Sequence, residues 1–163
     1  MGNFLENPLV EMLIKHEGLR TFPYDDLTGE QVTAGSTIKG KISIGIGRNL
    51  TDIGLSHDEA MMLLTNDIER TRNDLTRAIP WWTKLDEVRQ AVVLSMAFNL
   101  GIDRLLTFVN TLTFIRNGQY DKAADNMLLS LWAKQVGPRA KELSMMLRTG
   151  KWAWEDLPNE KRS

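Results

Sequence analysis

The sequence predicts an α+β protein, mostly helical, with a small β-hairpin lobe and a larger helical lobe joined by one long helix. Three observations predict it. Ile42, Ile44 and Ile46 alternate with Ser43, Gly45 and Gly47, the period of a strand with one apolar face. Ser56-His57-Asp58-Glu59 has the form of a capping box that opens a long helix, and Pro80 stops it. From Asp86 onward, apolar residues recur at helical spacing to the end. With 163 residues the chain can bury a sizeable core and is read as one domain, 1–163. Within it, a β-containing lobe covers about 15–65 and a helical lobe about 80–163, with the N-terminal helix packed against the latter and a ligand cleft between the lobes.

Residues 7–17 read as a helix. Asn7 can cap it, and Pro8 suits the first turn, where a missing N–H costs nothing. Leu9, Val10, Leu13 and Ile14 share a face, and Gly18 is the expected C-terminal cap. Phe22–Leu27 is the expected partner of the isoleucine strand, and Pro23 assigns it to an edge. The small residues opposite the isoleucines let another molecule approach the backbone. The turn Thr28–Lys41, rich in Gly, Thr and Ser, is expected to be mobile.

The long helix is expected from Ser56 to Ile79, with Thr65-Asn66-Asp67 as its weak point and polar Asp67–Asp74 as an exposed connector. Asp86 caps a segment reaching Leu100 that is apolar on nearly all sides, which assigns it to the centre of a bundle. A shorter helix around Phe108–Ile115 ends at Gly118, and helical spacing continues from Tyr120 through Trp132. Gly137-Pro138 starts a last helix that Gly150 ends, with Trp152 and Trp154 packing back.

Composition removes several function classes. A formal net charge of −1 argues against a nucleic-acid binder. The lack of cysteine excludes disulfides, thiolate catalysis and cysteine metal sites. No segment approaches the roughly 18 apolar residues that span a bilayer, and Asn7, Pro8 and Glu11 interrupt any N-terminal signal core. A soluble cytosolic product is therefore expected. His16-Glu17 does not make a zinc helix, because Arg20 stands where the second His belongs. Gly45-Ile46-Gly47 is no dinucleotide fingerprint, because Leu50 stands where the third Gly belongs. No nucleophile elbow is present. No metal or organic cofactor is implied.

Three polar residues form a chemical set. Glu17 sits in the last turn of its helix, at the negative end of the macrodipole, an unfavourable place for a negative charge and a suitable one for a general acid. Asp26 lies on the strand entering the hairpin and Ser43 on the small-residue face of the returning strand. If the hairpin closes, both point into one space facing Glu17. An acid on one side of a glycosidic bond, with a carboxylate and a hydroxyl holding water on the other, suits an inverting hydrolase. The bland alternatives are a surface Glu, turn chemistry for Asp26 and a polar strand face for Ser43. Asp25 rivals Asp26, but strand alternation turns it the other way. Lys134, Arg139, Lys141, Arg148 and Lys151 are read first as a solvated helix face, and Trp81, Trp82, Phe98 and Trp132 as core before sugar-stacking surface.

Glu17-Gly18-Leu19-Arg20, Tyr24-x-Asp26 and Ser43-Ile44-Gly45-Ile46-Gly47, in that order, resemble the T-even phage lysozymes and related endolysins. So do Asp86-x-Val88-Arg89, Asn99-x-Gly101, Phe108-x-Asn110-Thr111-Leu112, Trp132, Pro138-x-Ala140-Lys141 and Arg148-Thr149-Gly150-x-Trp152. Each piece is weak alone; the ordered set covers nearly the whole chain. The resemblance implies a lysozyme-like fold and a muramidase cutting the β-1,4 bond between N-acetylmuramic acid and N-acetylglucosamine of bacterial peptidoglycan. Glu17 would be the general acid, and Asp26 and the Ser43 hydroxyl would position and activate the attacking water. Arg139 looks like the arginine that pairs with the catalytic glutamate, Asn99 and Trp132 like supporting residues, and Asn49, Phe98, Thr111 and Asn126 like substrate-cleft positions. A serine replaces the family's threonine at Ser43, keeping the hydroxyl. Two further departures are a longer hairpin, with extra residues around Val32–Lys41, and Arg48 where a histidine usually follows the Gly-x-Gly. The expected context is a monomeric endolysin, held in the host cytoplasm until a holin opens the inner membrane and then acting on the periplasmic wall. The rival readings are a lytic transglycosylase and a non-catalytic wall-binding module.

Overall fold

The computed structural model describes residues 8–155. The protein is α+β and mostly helical, with eight α-helices and one three-stranded antiparallel sheet among these residues. The chain forms two compact units, Met1–Met61 and Met62–Ser163. No helix among the described residues is long and apolar enough to cross a membrane.

The first unit holds α1 (Pro8–Glu17), β1 (Arg20–Asp25), β2 (Ile42–Gly45) and β3 (Arg48–Asn49), and the start of α2 (His57–Ala78). Gly18 ends α1 as expected, at φ +73° with its N–H on the Ile14 carbonyl (2.9 Å). The Asn7 cap lies outside the described residues. Strand order is β1-β2-β3, so the Pro23 strand is an edge. The register slips between Arg20 and Tyr24, which absorbs a proline with no N–H to give the ladder. β1 begins and ends two residues earlier than the sequence suggests, because Asp26 to Thr28 form a turn. The Thr28–Lys41 segment is tied to the free side of β1 by bonds from Asp25 N to Glu30 O and from Val32 N to Pro23 O, each 2.9 Å.

β2 is shorter than the isoleucine alternation. Gly45 and Gly47, at φ +69° and +71°, turn the chain into a third strand that the alternation did not reveal, and Ile46 falls on that turn, exposed. The buried side chain of β2 is Ser43, while Ile42 and Ile44 are half-buried. The capping box opens α2 as predicted, with Ser56 N on Glu59 Oε2 (2.8 Å) and Glu59 N on Ser56 Oγ (3.2 Å). α2 runs unbroken through Thr65-Asn66-Asp67, because these residues cost only tenths of a kcal/mol each against a formed helical ladder.

The second unit continues with a 3₁₀ turn, Pro80–Lys84, and then α3 (Glu87–Leu100), α4 (Ile102–Leu106), α5 (Val109–Arg116), α6 (Tyr120–Leu128), α7 (Leu131–Val136) and α8 (Pro138–Thr149). Asp86 caps α3 by accepting from Arg89 N (3.0 Å). Val92, Val93 and Met96 are fully buried, the central position that the all-round apolar pattern predicts. Leu75, Trp82, Leu105, Ile115, Met127 and Leu147 close the same core. The helical run Tyr120–Trp132 divides at Leu129 and Ser130, because Ser130 adopts an extended backbone and caps α7 through Ala133 N (3.1 Å). α4 had no distinct signal in the sequence. Arg89 fastens α3 to the end of α8, donating to the carbonyls of Leu147 (2.9 Å) and Arg148 (3.1 Å) while its guanidinium lies 3.7 Å from the centre of the Tyr120 ring.

Candidate active site

Glu17, Asp26 and Ser43 all belong to the first unit. Glu17 is the last residue of α1 and is exposed. Its carboxylate has no hydrogen-bond or ion-pair partner within that unit among the described residues, and it rests over Gly47. A Cβ added at Gly47 would lie 3.0 Å from Glu17 Oε2. Gly47 thus supplies both the positive φ of the β2–β3 turn and the space for the acid.

Tyr24 pairs with Ser43 and Asp25 with Ile42, and Asp26 follows in the turn just past the strand end. Asp26 is exposed, and Asp25 is only 3% exposed. Asp26 N donates to Lys41 O (2.9 Å), and Lys41 N donates back to Asp26 Oδ1 (2.7 Å), so the side chain stands in for a ladder carbonyl. Ser43 is 3% exposed, and its hydroxyl makes no hydrogen bond within the unit among the described residues. No fully enclosed polar side-chain atom there lacks a partner, so this hydroxyl keeps contact with solvent.

Asn49 stands opposite Ser43 in the β2–β3 pair. Its amide is already engaged, donating to Asp52 Oδ2 (2.9 Å) and accepting from Asp52 N (3.0 Å). Asp52 in turn pairs with Lys41 Nζ at 2.8 Å. That bond is the main reason the Asp52 carboxyl sits below its usual range and the Lys41 ammonium above its own. A single chain of contacts therefore runs from Asn49 through Asp52 and Lys41 to Asp26.

Arg48 makes its own ion pair. Its guanidinium grips the Glu59 carboxylate with both terminal nitrogens, Nη1 to Oε2 at 2.9 Å, and also donates to Gly54 O (3.2 Å). The Ser56 N–H, and then Arg48, hold the Glu59 carboxyl below its usual range. The arginine thereby ties the end of the sheet to the capping box of α2.

In the second unit, Thr111 and Asn126 meet directly, Thr111 Oγ1 donating to Asn126 Oδ1 at 2.8 Å. Trp132 Nε1 donates to Asn99 Oδ1 (2.8 Å), and Phe108 meets the Trp132 ring edge-on at 6.1 Å. Thr111, Asn126, Phe108 and Trp132 line one open groove of about 680 Å³. Trp132 is both core and groove wall, at 5% exposed, and Trp82 is core and lines a separate recess with Ile68, Arg72 and Trp152. Phe98 is exposed and lines a different, smaller recess with Asp67, Arg70 and Thr71. Arg139 is the second residue of α8.

Sequence reasoning did not single out Gly47 or Gly40, and it took Asp25 only as a rival to Asp26. The turn chemistry considered for Asp26 belongs to its neighbour. Asp25 accepts from Leu27 N (2.9 Å), Lys39 N (2.6 Å) and Gly40 N (3.1 Å). These bonds, that from Lys39 foremost, hold its carboxyl below the usual range. The signal available was the Asp-Asp doublet at the mouth of a long loop.

The chain is similar to two curated proteins. It is 28% identical over 165 residues to the "Pre-baseplate central spike protein Gp5" of Enterobacteria phage T4, covering 89% of this chain and 29% of that protein. It is 29% identical over 69 residues to "Probable T4-type lysozyme 1" of Dictyostelium discoideum, covering 42% of this chain and 41% of that one. The chain thus spans less than half the length of either relative. The family model for phage lysozyme matches residues 14–148, most of the sequence, and the chain belongs to the phage lysozyme family.

Proposed function

We propose that this chain is a lysozyme-type peptidoglycan hydrolase, an inverting muramidase that cleaves the β-1,4 bond between N-acetylmuramic acid and N-acetylglucosamine. The observation that carries the reading is the Glu17, Asp26 and Ser43 set in a family member: an acid resting on a glycine, a carboxylate at the end of the strand that pairs with the serine's strand, and a serine hydroxyl without a protein partner in its unit. Glu17 protonates the glycosidic oxygen as the bond to the anomeric carbon breaks. A water held by Asp26 and Ser43 attacks from the opposite face and gives its proton to the Asp26 carboxylate. The product carries an ordinary reducing end of inverted configuration. Arg139 is assigned a supporting role, and the groove with Thr111, Asn126 and Trp132, supported by Asn99, takes part of the substrate, as do Asn49 and Phe98.

The test is release of reducing ends from purified Gram-negative peptidoglycan by wild type beside Glu17→Gln. The reading expects release by the wild type, with a Glu17→Gln protein that is folded and at least about 100-fold slower, the order of a lost general acid. Substantial hydrolysis by folded Glu17→Gln would overturn it. Products ending in 1,6-anhydro-muramic acid would assign the chain to the transglycosylases, and wall binding without release would make it a binding module.

The activity is proposed to serve host lysis, with the protein held in the host cytoplasm until a holin opens the inner membrane, and working as a monomer on the periplasmic wall. Similarity to a central spike protein across 89% of this chain favours a second setting, the same hydrolase carried on a virion. An antibody to this chain decides between them: signal in purified particles supports the spike setting, and signal confined to the lysate supports release.

A further inference from the structure

The strongest unassigned feature of the molecule is the join between Asp25, Gly40 and Asp26. Asp25 is buried, and its carboxylate gathers backbone N–H groups from both ends of the long hairpin loop. Leu27 and Thr28 donate from the start (2.9 and 3.4 Å), and Lys39 and Gly40 from the end (2.6 Å, and 3.1 and 3.2 Å to the two oxygens). The residue that follows, Lys41, donates its N–H to Asp26 Oδ1 at 2.7 Å. Gly40 is packed between the two acids. A Cβ there would overlap Asp26 Oδ1 and would lie 2.7 Å from Leu27 Cβ and 2.8 Å from Asp25 Oδ1.

We infer that Asp25 is a positioning residue for the hydrolysis: by clamping Lys39 and Gly40 it sets the Lys41 N–H that orients the Asp26 carboxylate. This rests on the proposed role of Asp26. The physical argument is short. An exposed carboxylate on a turn has free rotation about both side-chain bonds, and a fixed N–H donor removes that freedom for one oxygen. The donor is fixed only if the 39–41 backbone is fixed. That segment closes a loop running from Asp26 to Lys41, and the charge-assisted bonds to Asp25 pin its last turn to the strand end. Gly40 lets the backbone pass close enough for both carboxylates to reach it. Asp25 touches neither water nor sugar in this scheme; it acts through Lys41.

The experiment uses the full chain with Asp25→Asn, Gly40→Ala and Thr33→Ala. Asn keeps the shape of Asp but is neutral, and one of its two polar atoms is a donor that faces other donors. Gly40→Ala presses on the clamp directly. Thr33→Ala breaks the Thr33–Ser36 contact elsewhere in the same loop (2.9 and 3.2 Å) and leaves the clamp alone. Steady-state kinetics on peptidoglycan are expected to show kcat lowered about tenfold or more for Asp25→Asn and Gly40→Ala, with KM within about twofold and Thr33→Ala like wild type. In parallel, the Lys41 amide proton resonance is followed by NMR. It is expected to move in Asp25→Asn and to stay in place in Thr33→Ala.

An unmoved Lys41 amide in Asp25→Asn overturns the inference whatever the activity, and so does an unchanged kcat with an active wild type. A wild type that releases no reducing ends sinks the hydrolase reading instead, and the Lys41 resonance then decides the clamp alone. If Asp25→Asn does not fold, Asp25→Glu, which keeps the charge and displaces the carboxylate by one methylene, carries the same two readouts.

Discussion

Gly47 offers a test of how Glu17 is held. Alanine there meets two separate obstacles. The first is backbone strain, since φ is +71°, and an L-residue in the left-handed region costs about 1–2 kcal/mol. The second is the contact of its Cβ with Glu17 Oε2 at 3.0 Å, tighter than ordinary van der Waals approach. The two are separable with Gly54, which has φ +67° and nothing within 4 Å of an added Cβ. Both variants should lose about 1–2 kcal/mol, a fall in Tm of roughly 2–8 °C for a domain of this size. Glu17 is exposed at a helix end and can give way, so the second obstacle adds little to stability. It moves the acid, and misplacing a reacting group by up to 1 Å costs as much as 100-fold in rate. Gly47→Ala should therefore lower kcat by about tenfold or more, and Gly54→Ala should leave it within about threefold. Thermal unfolding by circular dichroism and reducing-end release from peptidoglycan read the two effects separately. Equal kcat values for the two variants would refute the argument that Gly47 seats the acid.

Glu59→Gln tests the Arg48 ion pair. The folded Glu59 carboxyl lies below the usual 4.5, so its stabilisation is fully present above that value and is lost as pH falls through the lower folded one. The urea midpoint of wild type should exceed that of Glu59→Gln at pH 7, and the gap should begin to close below about pH 4.5; a gap that widens on acidification would count against the pairing. Leu105→Ala removes a fully buried side chain from the helical core. It should cost about 2–5 kcal/mol, lowering Tm by roughly 4–20 °C, with kcat at a permissive temperature unchanged. A shift under 1 °C would contradict the packing described for the second unit.

Much of the architecture was legible because it rests on local physics. The Ser56–Glu59 capping box, the proline after α2, Gly18 and Gly150 as helix ends and the central place of α3 each follow from a few neighbouring residues. The misses share one cause. The break at Leu129 and Ser130 interrupts an apolar spacing that continues across it, so periodicity alone reads one helix where a serine cap begins another. The two-residue strand β3 is too short to carry a period, and Ile46 kept the alternation in sequence while the glycines on either side turned the backbone.

The sequence by itself determined the class of fold and most helix ends, and it named the three residues on which the proposed hydrolysis rests. These depend on residue type, spacing and backbone preference, which act over a few positions. Only the tertiary structure decided which carboxylate of the Asp25-Asp26 doublet is buried and bound by the loop, that Gly47 lies under Glu17, that Arg48 answers Glu59, and that Thr111 and Asn126 close on each other beside Trp132. Each of these joins groups well apart along the chain. Such pairings are set by strand register and helix packing, which arise only once the whole backbone has closed.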